Sequence, residues 1–171
     1  VTLYKKGEIE KANNIFGSIY KLSPNDHGTL IAESELLIDD HKWEKLSGRL
    51  MACFGHNSID DNTAGIITRK LLLFANPSSL KIAEEFIGMR LKQSPNSNDA
   101  NKALAMLYQI KGLTSKSAAI YNRILAKNPD DLVAINNLAW IICEEEGDYQ
   151  KALELAETGL RKTPYYIDLI D

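Results

Sequence analysis

Apolar residues recur along this chain at three- and four-residue intervals, the signature of helices that bury one face. Residues 8–22 set Ile9, Ala12, Ile15, Phe16, Ile19 and Tyr20 on one side. The same spacing predicts helices over residues 28–38, 43–54, 62–74, 79–93, 98–111, 115–127, 131–146 and 148–162. Pro24 closes the first, because proline lacks an N–H and disfavours helical geometry in the residue before it. His41 interrupts the next run, and Gly112 and Gly147 join later helices, Gly112 as a C-cap. Asn25-Asp26 and Asp60-Asp61 offer N-caps. Asn76-Pro77-Ser78-Ser79 is expected to be a turn. No alternating β-branched run is bounded by hairpin signals, so the class is all-α.

A longer rhythm overlies the helical one. Ala12, Phe16 and Pro24 stand four and then eight residues apart, and so do Ala83, Ile87 and Pro95; Ser117, Tyr121 and Pro129; and Ala152, Ala156 and Pro164. Pro95, Pro129 and Pro164 follow one another at 34 and 35 residues, and the 71 residues from Pro24 to Pro95 divide into 34 and 37 at Ser58. Counting back from Ser58 finds Leu46 and Leu50, apolar where the spacing leads one to expect small or aromatic residues. A fixed period of this length marks stacked helical hairpins. Small residues let antiparallel helices approach, as Ala105 with Ala118 or Ala139 with Ala152 would. Leu104, Tyr108, Tyr121, Leu138 and Leu160 fill the surrounding space.

Leu104-Ala105, Tyr108, Gly112, Tyr121 and Pro129, repeated as Leu138-Ala139, Gly147, Ala152 and Pro164, resemble the tetratricopeptide repeat, a helix–turn–helix unit of 34 residues. Gly7, Ala12, Phe16 and Pro24 match the second half of an earlier copy. Asn101 and Ile135 stand where the family pattern has tryptophan. The resemblance implies an α-solenoid, a right-handed superhelix of stacked antiparallel helix pairs running through residues 1–171. Its divisions would be a partial repeat (1–24), a repeat (25–58), a divergent repeat with a longer turn (59–95), two further repeats (96–129 and 130–164) and the start of a truncated helix (165–171).

In such arrays the first helix of each pair lines a concave face that binds an extended peptide or partner helix. Mapped by spacing, that face holds Glu35, Asp39, Arg69, Lys102, Met106, Gln109, Asn136, Asn137 and Trp140. An asparagine at the place of Asn137 often hydrogen-bonds a ligand backbone in the family. Ala32, Ile66 and Ala103 occupy the equivalent places, so a single contact is expected rather than a ladder. Lys102 and Asn136 resemble part of a carboxylate clamp, set against a plain solvated face of mixed charge. Trp140 reads equally as a binding anchor or as packing between helices.

Composition removes other classes. The chain of 171 residues is 44% hydrophobic and 25% charged with a net charge of −3, the profile of a well-folded protein without a basic stripe for nucleic acid. No apolar run approaches the length needed for membrane insertion; residues 71–75 form one of the longer runs, and none exceeds six residues. Cys53 and Cys143 read as small buried hydrophobes. His27, His41 and His56 sit at helix ends with no second ligand one turn away, so no metal is expected. Glu144-Glu145-Glu146 reads as a solvated helix end. No phosphate loop or nucleophile motif is present, so neither a cofactor nor an enzymatic activity is expected.

The expected partner is therefore a protein or peptide, with no nucleic acid. The alternative is a structural spacer or self-assembly array. Residues 165–171 read as an interrupted repeat, and neither terminus has a polar cap. The expectation is a chain continuing in both directions and self-associating through its raw ends. A weaker likeness of residues 136–164 to repeats in bacterial envelope and polysaccharide-export proteins leaves cytoplasm and periplasm both open.

Overall fold

The computed structural model describes residues 8–23, 26–55 and 59–162. Nine helices run through these residues: α1 (Ile9–Leu22), α2 (His27–Asp39), α3 (Trp43–Gly55), α4 (Asp61–Phe74), α5 (Pro77–Gln93), α6 (Asn98–Ile110), α7 (Thr114–Lys127), α8 (Leu132–Ile141) and α9 (Tyr149–Lys162). The described residues contain no strand. The chain divides into two compact units, Val1–Gln93 and Ser94–Asp171. In the first, α2 packs on α1, α3 and α4, and α5 packs on α3 and α4. In the second, α7 lies against both α6 and α8, and α9 against α8. Pro24, Asn25, His56, Ser58, Pro164 and the segments 1–7 and 165–171 lie outside the described residues.

Local chemistry starts the first helix of each hairpin in one way. The N–H of Thr29 donates to Asp26 at 2.6 Å, that of Thr63 to Asp60 at 2.6 Å, that of Ala100 to Ser97 at 3.3 Å and that of Ala134 to Asp131 at 3.0 Å. Each side chain satisfies an N–H that the first turn leaves unpaired. The hairpin turns are equally regular: His41, Ala75, Gly112 and Gly147 adopt φ of 58°, 50°, 70° and 69°. After Gly112 the Leu113 N–H returns to the Tyr108 carbonyl at 2.8 Å, and after His41 the Lys42 N–H returns to Leu37 at 2.8 Å. Both closures are Schellman turns, which need a left-handed residue.

These landmarks explain why the period is uneven. Fifteen positions separate Asp26 from His41, Asp60 from Ala75 and Ser97 from Gly112, but sixteen separate Asp131 from Gly147. The additional residue is absorbed by a π-helical turn, Ile142–Glu146, in which the Gly147 N–H reaches the Ile142 carbonyl. The helix expected over 131–146 is thus α-helical only through Ile141.

The three extra residues of the third repeat lie beyond Ala75. Eight positions separate Ala75 from the buried Ala83, whereas five separate His41 from Leu46, Gly112 from Ser117 and Gly147 from Ala152. Asn76-Pro77-Ser78-Ser79 is therefore not the loose turn expected from its composition. Asn76 caps α5, its Oδ1 accepting from the Ser79 N–H at 2.8 Å while its own N–H donates to Ser79 Oγ at 3.1 Å. Pro77, first in the helix, has no N–H to waste there.

The periodic positions form the core. Ala12, Phe16, Leu46, Leu50, Ala83, Ile87, Ser117, Tyr121 and Ala152 are all buried, and Ala156 is half-buried. Leu46 and Leu50 are almost completely enclosed, so the larger side chain at this repeat fills the crossing. In the second unit Ala105, Tyr121, Ala134, Leu138, Ile141 and Ala152 share one cluster, flanked by Leu104, Tyr108 and Ala118. Asn101 is buried where the family pattern has tryptophan. Its amide donates to the Pro95 and Ser97 carbonyls at 3.2 and 2.7 Å, and its oxygen accepts from Arg123 at 2.7 Å. A polar knot thereby joins α6 to α7.

Candidate functional site

The nine residues singled out from spacing fall on the first helices of the hairpins: α2 and α4 in the first unit, α6 and α8 in the second. In the first unit Asp39 is exposed and pairs with Lys70 at 3.4 Å, tying the end of α2 to α4. Glu35 is half-buried and Arg69 exposed. Four residues beyond Arg69, on the same side of α4, Leu73 is 74% exposed. Spacing alone did not single it out, because residues 71–75 are apolar throughout and only the period from buried Leu71 and Leu72 marks Leu73 as outward.

In the second unit the candidates divide into engaged and presented side chains. Lys102 is half-buried, with its ammonium 3.2 Å from Asp99 and 3.3 Å from Asp131. Asp131 is itself buried and also accepts from the Asn98 amide at 2.9 Å. Gln109 accepts the Tyr121 hydroxyl at 3.1 Å. Burial of that ring pushes the Tyr121 phenol well above its usual range. The Asn137 amide donates to the Val133 carbonyl of its own helix at 2.7 Å, leaving the side-chain oxygen as its further acceptor. Met106 and Asn136 are half-buried. Trp140 is different: half of its surface is exposed, and it lies in α8 two residues from the buried Leu138.

A separate cleft of about 340 Å³ opens in the second unit between α7 and α9. Leu125, Leu138, Ile142 and Leu155 line it together with Asn122, Lys151, Glu154 and Thr158. It draws mainly on the second helices of the hairpins, so mapping the first helices could not have found it.

Among the described residues no group of three or more His, Cys, Asp or Glu side chains is arranged to hold a metal ion. None of the described helices is long and apolar enough to cross a membrane. Cys53 is buried and Cys143 half-buried, both as thiols rather than as a disulfide, and burial pushes the Cys53 thiol up. Glu144 and Glu145 are exposed.

No family model matches the chain, and no curated protein matches it. Solved structures do. YrrB, described as a TPR protein with an unusual peptide-binding site, is 12% identical, with a TM-score of 0.61 over 99% of this chain and 85% of its own. Two structures of MamA are each 16% identical. One has a TM-score of 0.62 over 95% of this chain and 93% of its own, the other 0.59 over 96% and 90%. The fold is that of tetratricopeptide-repeat proteins, all-α and built from helical hairpins.

Proposed function

We propose that this chain is a non-catalytic scaffold that binds a protein or peptide segment along the exposed faces of its first helices. The observation that carries the reading is Trp140, a large aromatic left half in solvent on α8. Tryptophan is costly to expose and is enriched among residues that dominate binding energy. Asn137, three residues before it, keeps an acceptor for a ligand N–H, and Met106 on α6 adds adaptable apolar surface. In the first unit Arg69 and Leu73 pair a cation with an apolar side chain one turn apart. The described peptide-binding site of YrrB supports the same reading by analogy of fold.

A random peptide library displayed on phage and selected on the full chain tests this directly. Selected peptides should lose binding to Trp140→Ala and, in part, to Asn137→Ala. Peptides indifferent to Trp140, or no selected peptide at all, would overturn the proposal. A second reading, an assembly array, draws on α9, where Tyr149 and Leu153 stand one turn apart and are 71% and 55% exposed. Light scattering of Leu153→Glu against the unaltered chain separates the two: only an array changes mass.

A further inference from the structure

We infer that α1 docks and undocks from the first unit as a single element, held by a charged latch centred on Glu33 rather than by apolar burial. The apolar contact is small. Among the described residues α1 contributes Ala12, Phe16 and Tyr20 to a cluster with Ala32 and Leu36 of α2. Two of its other large apolar side chains, Ile15 and Leu22, are 46% and 89% exposed. A helix of this length has little stability by itself, so its docking decides whether it persists.

The polar contact is more elaborate. Glu33 is buried on α2, with only 9% of its side chain exposed. Its Oε2 accepts the Tyr20 hydroxyl at 2.9 Å and lies 3.2 Å from Arg49 Nε, and Lys45 stands 3.9 Å from Oε1. The Arg49 guanidinium lies over the Tyr20 ring, 3.4 Å from its centre. Lys45 also donates to Asn13 of α1 at 3.1 Å. One carboxylate on α2 thus aligns two cations of α3, and both cations grip α1.

Removing a carboxylate buried between cations is costly, because it leaves the cations uncompensated. α4 and α5 bury apolar residues of their own, Ile67, Leu71, Ile82, Phe86 and Ile87, none of which belongs to the α1 cluster. The latch can therefore fail while that core stays closed. Elements with few apolar contacts open locally at lower free energy than the core.

Amide hydrogen exchange on the full chain, read by mass spectrometry, tests the inference. Residues 9–22 should exchange ahead of residues 61–93. Glu33→Gln should speed exchange in 9–22 by about tenfold, since it removes a charge-assisted bond, with 61–93 unchanged. Tyr20→Phe, which keeps the ring and removes only the hydroxyl, should shift the same residues the same way by about threefold. Exchange of 9–22 in step with 61–93 in the unaltered chain overturns the inference. So does a Tyr20→Phe chain in which residues 9–22 exchange at the original rate, whether or not Glu33→Gln loosens the whole unit.

Discussion

Asp131 accepts the Asn98 amide at 2.9 Å while its other oxygen caps α8, so one carboxylate joins the starts of two successive first helices. The first unit repeats the arrangement: Asp60 caps α4 and meets His27, the first residue of α2. Both pairs are thirty-three residues apart in sequence. The cap is thus a connector between repeats as well as a helix start. Asp131→Ala removes cap and connector together and leaves Lys102 with one carboxylate fewer. Urea denaturation should show a loss of about 2–3 kcal/mol, above the roughly 1 kcal/mol of an ordinary cap. Asp131→Asn, which keeps an acceptor for the Ala134 N–H, should lose less; a loss from Asp131→Ala no larger than the roughly 1 kcal/mol of an ordinary cap would refute the connector role.

The left-handed turns give a stabilising substitution. Ala75 holds φ of 50°, a conformation in which its Cβ crowds the backbone. Ala75→Gly should raise stability by about 1 kcal/mol and lift the melting temperature. His41 holds φ of 58°, but its ring packs against Trp43 and Phe74 at 5.5 and 5.6 Å. His41→Gly should therefore gain less than Ala75→Gly. The reverse order would show that backbone strain is not the larger effect.

The π-turn predicts a tolerated deletion. Removing the exposed Glu145 lets the end of α8 close with ordinary helical bonds, and the chain should keep its helical circular dichroism with stability within about 1 kcal/mol. Removing Asn122 from α7 should behave differently. It turns every later residue of that helix by about 100° and carries buried Ile124 off the core face. Equal damage from both deletions would contradict this account of the extra residue.

Leu138 and Trp140 separate fold from binding. Leu138→Ala should cost about 2–5 kcal/mol, because Leu138 is buried in the α7–α9 core. Trp140→Ala should change stability by only about 0.5 kcal/mol. A large loss from Trp140→Ala would mean that the ring packs rather than waits for a partner.

Acid should loosen the caps of the first unit. Hydrogen bonds from Thr29 hold the Asp26 carboxyl below its usual range, and those from Thr63 do the same for Asp60. A carboxylate more acidic in the folded chain contributes fully above the ordinary value of about 3.9, and the contribution fades as pH falls through the depressed folded value. Asp60→Asn should therefore flatten the dependence of the urea midpoint on pH between about 5 and 2. Parallel profiles for the two chains would argue against this linkage.

Helix positions and hairpin order were readable from local signals. Periodic apolar residues, prolines and capping aspartates act within a few residues of where they stand, so the nine helices of the described residues lie close to their expected places. Placing Asn76-Pro77-Ser78-Ser79 was harder, since the same residue types serve a turn or a cap and the buried position of Ser79 decides between them. The candidate face was legible as a set of positions but not as a set of available groups. Lys102 is occupied by Asp131, twenty-nine residues away, and Gln109 by Tyr121. Such pairings depend on which side chains a neighbouring helix brings near, and spacing along one helix carries no record of them.

The added turn of α5 has a practical reach. Three residues enter directly after Ala75, yet Ala83, Phe86 and Ile87 remain seated in the core. The junction between Ala75 and Asn76 behaves like a seam that admits material without twisting the rest of α5, which makes it a natural place to splice in a reporter or a second binding loop.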